Sequence, residues 1–274
     1  MKRKILTIIV LFLSYNLIFF LQDLLKSELQ IYLLGFRFNL FLLVNLGIIY
    51  FHREKFGKYF VYLKQIGKFK NWLLTFFVPI LATAFTLGLI KLLGYSLKFK
   101  KPEFLIEFGL SSLVDLPIYF LWNLPFLLST LLVIVFVIDD FKFLKILGVS
   151  LLFTFGFISV QPILSFEKIN FEKLSYLPLI FAYTIFNLTI LRTYRSFWVA
   201  SFSVLISIYS FVLVFGSTNV FVIKTFFARM YTEWDGLFVF KKLDVYLIDL
   251  LYSGLIILFA ILFFIFDKKK NNNL

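Results

Sequence analysis

The chain has 274 residues, of which 61% are hydrophobic and only 16% are charged. A soluble domain carries about a quarter charged residues, so this composition excludes an ordinary water-soluble fold. The absence of cysteine excludes disulfides and thiolate metal sites, and the single histidine, His52, excludes a histidine-rich metal site. The net charge of +13 is typical of basic residues that flank membrane spans, so we expect membrane lipids rather than nucleic acid as partners.

Long apolar stretches predict transmembrane helices, because lipid offers no water to unpaired backbone groups. We predict an all-α, polytopic transmembrane helix bundle with about eight spans of roughly 20 residues and two or three interfacial helices. The predicted spans are residues 5–21, 31–51, 72–94, 117–138, 143–163, 175–192, 197–215 and 244–266. They are expected to form a single transmembrane domain over residues 1–267, followed by a disordered polar tail at 268–274.

The first span begins with Lys2-Arg3-Lys4 and an apolar run, which resembles a signal peptide. Residues 21–24 make a poor cleavage site, so we expect an uncleaved first helix. With this N-terminus inside, 16 basic residues face the cytoplasm and ten face the other side. The positive-inside rule therefore predicts a multi-pass protein of the inner or plasma membrane with both termini cytoplasmic. Arg192 and Arg195, near the inner interface, are candidates for holding anionic lipid headgroups.

Three segments between the spans are predicted to lie on the membrane surface. Residues 104–113 precede a predicted helix start, where Asp115 is the N-cap and Pro117 lies in the first turn. Residues 53–70 and 219–234 repeat apolar side chains at helical spacing among charged ones. That pattern is typical of amphipathic helices in the headgroup region.

Polar side chains inside the spans are costly unless they are paired or face a cavity. Arg37 and Asp249 both lie in the outer halves of their spans, and we interpret them as a candidate ion pair within the membrane. Small residues share one face of the seventh span, which predicts either close helix packing or a polar cavity wall. These residues are Ser196, Ala200, Ser203, Ser207 and Ser210.

Motifs for known chemistry are missing from the chain. It has no His-x-x-x-His pair for zinc and no glycine-rich phosphate loop. The neighbouring carboxylates Asp139 and Asp140 are interpreted as a solvated turn beside Lys142 and Lys145. The sequence therefore predicts no catalytic residue, no metal and no cofactor.

The second half of the chain resembles the CPBP family of intramembrane proteases, which process CAAX and bacteriocin peptides. Residues 152–157, Leu-Phe-Thr-Phe-Gly-Phe, are similar to that family's Phe-x-x-x-His segment. Residues 191–198, Leu-Arg-Thr-Tyr-Arg-Ser-Phe-Trp, are similar to the stretch before its His-x-x-x-Asn helix. The resemblance covers residues 117–215 and implies an eight-span helical fold with a central cavity.

The catalytic positions of that family are replaced in this chain. Residues 121–132, where the family has Glu-Glu-x-x-x-Arg, contain no acidic residue. Phe157 stands in place of the first histidine, and Ser203 and Ser207 stand in place of the second histidine and the asparagine. Together with Asn123, these residues would line the cavity by position. A phenylalanine cannot accept a proton, so the resemblance implies a protease-dead relative.

We therefore expect a non-catalytic integral membrane protein that serves as a subunit or binding partner in a membrane complex with other membrane protein subunits. The alternatives are a transporter or channel component, an enzyme acting on lipid or polyprenyl substrates or another lipid-handling membrane protein, and a structural subunit unrelated to any protease. A transporter would need discontinuous helices with charged groups near the middle of the membrane, and Pro117 and Pro125 interrupt only one half of the chain. The small number of acidic residues argues against an enzyme that acts on lipid or polyprenyl substrates.

Overall fold

The fold is taken from a computed structural model, which describes residues 2–24, 30–99, 124–138, 141–158, 177–215, 238–240 and 245–272. Almost all of these residues are helical. The helices are α1 (Lys2–Leu24), α2 (Gln30–Phe51), α3 (Arg53–Phe56), α4 (Phe60–Lys64), α5 (Phe69–Leu92), α6 (Leu124–Ile138), α7 (Phe143–Ile158), α8 (Leu177–Tyr194), α9 (Phe197–Phe215) and α10 (Val245–Asn272).

Each of the eight predicted spans overlaps one of these helices over the residues that the structure describes. Within the described residues, three helical segments are long and apolar enough to cross a membrane: Phe69–Leu92, Leu177–Tyr194 and Leu247–Phe266. The apolar segments described in α2, α6, α7 and α9 are shorter. The protein is thus a helical protein whose apolar helices fit a membrane protein, and the count of eight spans stays a prediction.

Helix α8 is the centre of the bundle. In its apolar segment 67% of the residues are buried, compared with 39% in that of α5 and 33% in that of α10. It packs against α7, α9 and α10, and α5 packs against α9 and α10. A helix that is apolar all round is expected to be surrounded by others, whereas α5 and α10 present large apolar side chains outward, as lipid-facing helices do.

Aromatic contacts fix the directions of the packed helices. Only Arg195 and Ser196 separate α8 from α9, so these two helices run in opposite directions. The ring of Tyr183 in α8 lies 6.3 Å from that of Tyr252 in α10, and Tyr194 lies 6.1 Å from Phe263. The second contact lies further along the chain than the first in both helices, so α8 and α10 are parallel.

Helix α5 runs alongside α9 and in the same direction. Its Trp72, near the start, contacts Phe202 near the start of α9, with the ring centroids 4.9 Å apart. The helix also packs on α10. Since α9 is antiparallel to α8 and α10 is parallel to α8, α5 and α10 run in opposite directions.

A two-stranded antiparallel ribbon joins the end of α5 to the start of α10. Strand β1 (Leu97–Phe99) pairs with β2 (Phe238–Phe240), with Leu97 opposite Phe240 and Phe99 opposite Phe238. The ribbon is an addition to the all-α fold predicted from the sequence, because three residues are too few to show a period of two. The ribbon lies at the end of the bundle where α5 finishes and α10 begins.

Helix α10 extends to Asn272 and so includes most of the segment predicted to be a disordered tail. Lysine is a good helix former, so an apolar helix can continue through Lys268, Lys269 and Lys270. The predicted surface helices at 104–113 and 219–234 lie outside the described residues, as do Asp115 and Pro117.

Candidate functional site

The segment between α2 and α5 differs from the single surface helix predicted over residues 53–70. It forms the two short helices α3 and α4, joined by a turn at residues 57–59, and residues 65–68 are not helical. Phe56 is completely buried and stacks on Phe136 of α6 at 4.8 Å, and Tyr59 is also buried. These aromatics pack on the protein rather than on headgroups, because α6 offers them an aromatic surface.

We call residues 53–70 together with Arg195 the basic platform. Three side-chain donors from α5 and from the start of α9 fix its backbone by binding three of its carbonyl oxygens. Trp198 Nε1 donates to the Leu63 carbonyl at 2.7 Å, Trp72 Nε1 to the Ile66 carbonyl at 2.9 Å, and Ser196 Oγ to the Gln65 carbonyl. The platform is therefore held in one shape by the bundle beneath it.

Ser196 has two roles at this junction. Its hydroxyl oxygen also accepts a hydrogen bond from the Val199 amide at 3.4 Å, which makes Ser196 the N-cap of α9. A residue of the predicted small-residue face thus ties the start of α9 to the platform.

Gly67 provides the close approach of the platform to α9. Its φ of +87° lies in the left-handed region that side chains disfavour. A Cβ atom at this position would lie 2.6 Å from Cγ2 of Val199. Only glycine satisfies both the backbone conformation and the contact.

The two arginines predicted to hold lipid headgroups have different surroundings. Arg195 is exposed, and its Nη1 donates to the hydroxyl of Tyr62 at 2.6 Å. Its guanidinium also lies 5.8 Å from the ring centres of Tyr62 and Phe141. Arg192 is half-buried, with its guanidinium 3.7 Å from the ring centre of Phe264 in α10. Arg195 thus belongs to the platform, and Arg192 helps to pack α8 on α10.

The platform is strongly basic and carries apolar side chains on its surface. Residues 53–70 contain six basic residues and one acidic residue, Glu54. The basic side chains are all exposed, namely Arg53, Lys55, Lys58, Lys64, Lys68 and Lys70. Ile66 is 68% exposed and Phe69 is 77% exposed beside them. The arrangement can bind an acidic, partly apolar surface.

The residues predicted to line a cavity are only partly within the described residues. Asn123 and the side chain of Phe157 lie outside them. Ser203 and Ser207 are buried, and their hydroxyls donate to carbonyls of their own helix, at 2.7 Å to Ala200 and 2.6 Å to Ser203. The small-residue face is therefore used for helix packing where it is described.

Tyr252 fills the space in front of these serines. Its hydroxyl donates to the Ser207 carbonyl at 2.9 Å, and its ring lies 4.8 Å from that of Phe211. The side chain is completely buried between α10 and α9. A bulky aromatic side chain thus stands against the face where the resemblance would place a histidine and an asparagine.

Two buried polar residues of the spans have contrasting surroundings. Asn45 of α2 donates from Nδ2 to Ser129 Oγ and Thr130 Oγ1 of α6, both at 3.0 Å, and so joins two helices. Asp249 of α10 is completely buried, and neither carboxylate oxygen has a hydrogen-bond partner among the described residues. The side chain of its predicted partner Arg37 lies outside the described residues, so that ion pair stays a prediction.

His52 lies between α2 and α3 and stabilises the fold through contacts. Its ring stacks on Phe136 at 5.2 Å, and its Nε2 lies 3.5 Å from the Thr7 hydroxyl. Burial, followed by the charges of Arg3 and Lys55, lowers the pKa of this imidazole below its ordinary value. The neutral ring is therefore the form that the fold favours.

Within the described part of the chain, no group of three histidine, cysteine or acidic side chains could hold a metal ion. Comparison with known proteins adds no relative: no family model, curated protein or solved structure matches this chain.

Proposed function

We propose that this chain is a non-catalytic integral membrane protein that serves as a subunit of a membrane complex, with the basic platform as the surface that holds its partner. The observation that carries the proposal is the fixation of the platform backbone. The carbonyl oxygens of Leu63, Gln65 and Ile66 each accept a hydrogen bond from a side chain of the bundle. A surface fixed in this way is ready to recognise a partner of matching shape.

The fixed backbone favours a protein partner over lipid headgroups. Positive charge near the membrane attracts anionic lipids whatever the exact shape of the segment that carries it. Headgroup binding alone would thus need neither the three bonds to carbonyls nor the glycine at position 67. Shape matters when the opposite surface is itself rigid and complementary.

The side chains on the surface of the platform indicate the chemistry of the partner. Lys64 and Lys68 require acidic groups opposite them, and Ile66 and Phe69 require an apolar recess between those groups. Aromatic and arginine side chains are enriched at the centres of protein interfaces. The proposed partner is therefore a membrane protein with an acidic surface segment close to the bilayer.

The non-catalytic part of the proposal is supported by the residues at the positions that the CPBP resemblance makes catalytic. Phe157 has no proton-accepting atom, and the hydroxyls of Ser203 and Ser207 already donate to backbone carbonyls. No base lies beside either serine among the hydrogen-bond partners of the described residues. We accordingly propose a protease-dead relative of that family.

The test is quantitative co-purification from native membranes in a mild detergent. Charge reversal of the platform, Lys64→Glu with Lys68→Glu, is compared with a matched reversal outside it, Lys142→Glu with Lys145→Glu. All four lysines are exposed and lie near the same end of the bundle. The wild type and the matched control are expected to retain one partner in a fixed ratio, and the platform variant is expected to lose it. Equal effects of the two reversals would instead show general attraction to lipid, and a chain that always purifies alone would contradict the proposal.

A further inference from the structure

Asp249 is a buried carboxylate without a compensating group among the described residues. It is completely buried in α10, and neither of its carboxylate oxygens has a hydrogen-bond donor within the described part of the chain. Ser253, one turn further along the same helix, is also buried, and its hydroxyl likewise has no partner among the residues that the structure describes. Residues four apart share one face of a helix, so the two groups lie next to each other.

The neighbouring helices place further oxygen atoms at the level of Asp249 along the bundle. The hydroxyl of Tyr252 lies close to Thr83 of α5, and its ring lies 6.3 Å from that of Tyr183 of α8. Because α5 and α10 run in opposite directions, Thr86, one turn after Thr83, lies at the level of Asp249, one turn before Tyr252. Thr86 is completely buried. Buried hydroxyl groups of α5 and α10, those of Thr86 and Ser253, thus lie at the level of the carboxylate.

The described helices around α10 supply no positive charge to this site. On α5, Lys70 and Lys91 are exposed, and on α8 the guanidinium of Arg192 packs on Phe264. Phe264 is about 22 Å along α10 from Asp249 at the helical rise. The other ionisable groups on the helices packed here are the phenols of Tyr183 and Tyr194 on α8 and of Tyr209 on α9, and α9 contains no basic residue. Lys98 lies in strand β1, at the end of the bundle where α10 begins.

An isolated negative charge in the interior of a membrane protein is very costly. It must be neutralised, and carboxylates of this kind commonly mark ion or proton sites. Divalent ions such as calcium take six or more oxygens, usually with several carboxylates, whereas this site has one carboxylate and hydroxyls. We propose that Asp249 and Ser253 form a binding site for a single monovalent cation, either a proton or a sodium ion, which is a function beyond the docking of a partner.

The test uses dicyclohexylcarbodiimide, an apolar reagent that enters the bilayer and modifies protonated carboxyl groups. The full chain in liposomes is labelled, and the modified peptide is quantified by mass spectrometry. If the cation is a proton, labelling of Asp249 should fall about tenfold per pH unit on the alkaline side of its titration. If the cation is sodium, sodium chloride should lower labelling at constant pH, and choline chloride should not.

Three controls keep the outcomes separate. The variant Asp249→Asn should lose the label at this position. Sodium should not change the modification of Glu54, an exposed carboxylate, by a water-soluble carbodiimide. The milder variant Ser253→Ala should weaken any protection by sodium several-fold and leave the dependence on pH in place.

Two results would overturn the proposal. One is labelling of Asp249 that does not change with pH or with sodium. The other is an Asp249 that is never labelled in the wild type and becomes reactive in Arg37→Gln, since that pattern identifies Arg37 as the neutralising group.

Discussion

The indole N–H of Trp198, in the first turn of α9, donates a hydrogen bond of 2.7 Å to the carbonyl oxygen of Leu63, at the end of α4. The two residues are 135 positions apart in the chain. This bond links the basic platform to the core of the bundle. The shape of the proposed binding surface therefore depends on a helix that does not belong to it.

Trp198→Phe should loosen the platform while it keeps an aromatic ring in place. Loss of a neutral hydrogen bond to a partly buried carbonyl is expected to cost about 1–2 kcal/mol. Hydrogen exchange of the backbone amides of residues 60–66, measured in detergent, should become faster. Tyr50→Phe, which removes an exposed hydroxyl from α2, is the control and should leave that exchange unchanged. Unchanged exchange in Trp198→Phe would mean that the bond does not hold the platform.

Gly67→Ala should destabilise the protein more than Gly94→Ala. Both glycines have a φ of +87°, but a Cβ at Gly67 would meet Val199 at 2.6 Å, and one at Gly94 would meet nothing within 4 Å. Each substitution should cost roughly 1–2 kcal/mol for the left-handed backbone. The clash should add about 1–3 kcal/mol at Gly67 alone.

Thermal unfolding of the two glycine variants in detergent measures this difference. Val199→Ala in the Gly67→Ala background should recover part of the loss, because it removes the methyl group that clashes. Equal unfolding temperatures for Gly67→Ala and Gly94→Ala would show that α9 does not approach the platform closely.

Acid should destabilise the protein through His52. Burial and the charges of Arg3 and Lys55 lower the pKa of His52 in the fold, so the unfolded chain takes up the proton more readily. The stability that the neutral ring provides is complete above the unfolded pKa of about 6.5 and is lost as the pH falls below that value. The unfolding temperature should therefore drop with acidification in the wild type, and His52→Gln should flatten the slope over this range. Parallel slopes for the two proteins would refute the role of His52.

The positions of the helices could be predicted from the sequence, because apolar length alone identifies a helix that lipid can surround. The predicted spans 31–51 and 197–215 differ from α2 and α9 by one residue at most. The start of α10 was also predicted within one residue. The end of α10 was not predicted, because Lys268 to Lys270 were interpreted as part of a polar tail, whereas the helix continues through them.

The platform could not be predicted in the same way. The repeat of Phe56, Tyr59 and Leu63 indicated one amphipathic helix, but Phe56 is held by Phe136 of α6, a contact that local periodicity does not encode. The bonds from Trp198 and Ser196 likewise join distant positions of the chain. Gly67 was the one available signal, because an isolated glycine near the end of a helical pattern often marks a positive φ.

Polar residues in the spans stand out in the sequence, but the partners of Asn45 could not be assigned from it. Asn45 binds Ser129 and Thr130 of α6, and hydroxyl groups of this kind are too common in apolar segments to be assigned as partners from sequence. The main described contacts of α2 are with α1, α3 and α6, whereas α10 packs mainly on α8 and α5. For this reason we propose a small cation at Asp249 as an alternative to the predicted ion pair with Arg37.

A double substitution distinguishes these two possibilities. If Arg37 neutralises Asp249, the double variant Arg37→Gln with Asp249→Asn should be no less stable than either single variant, because each single change leaves one charge unpaired. If a cation neutralises Asp249, the two effects should be additive, and this is the result that we expect. Thermal unfolding in detergent, with sodium present and absent, provides the measurement. Strong non-additivity would support the ion pair between Arg37 and Asp249 and would contradict the cation site.

The proposed function is tested most directly by photo-crosslinking from the platform in native membranes. A photoreactive amino acid at Ile66, on the platform, is compared with one at Leu92, at the far end of α5. Leu92 is the more exposed of the two, at 84% against 68% for Ile66. We predict one discrete protein adduct from Ile66, lost when Lys64→Glu and Lys68→Glu are added, and no such adduct from Leu92. Adducts with lipid alone at both positions would contradict the assignment of this surface to a protein partner.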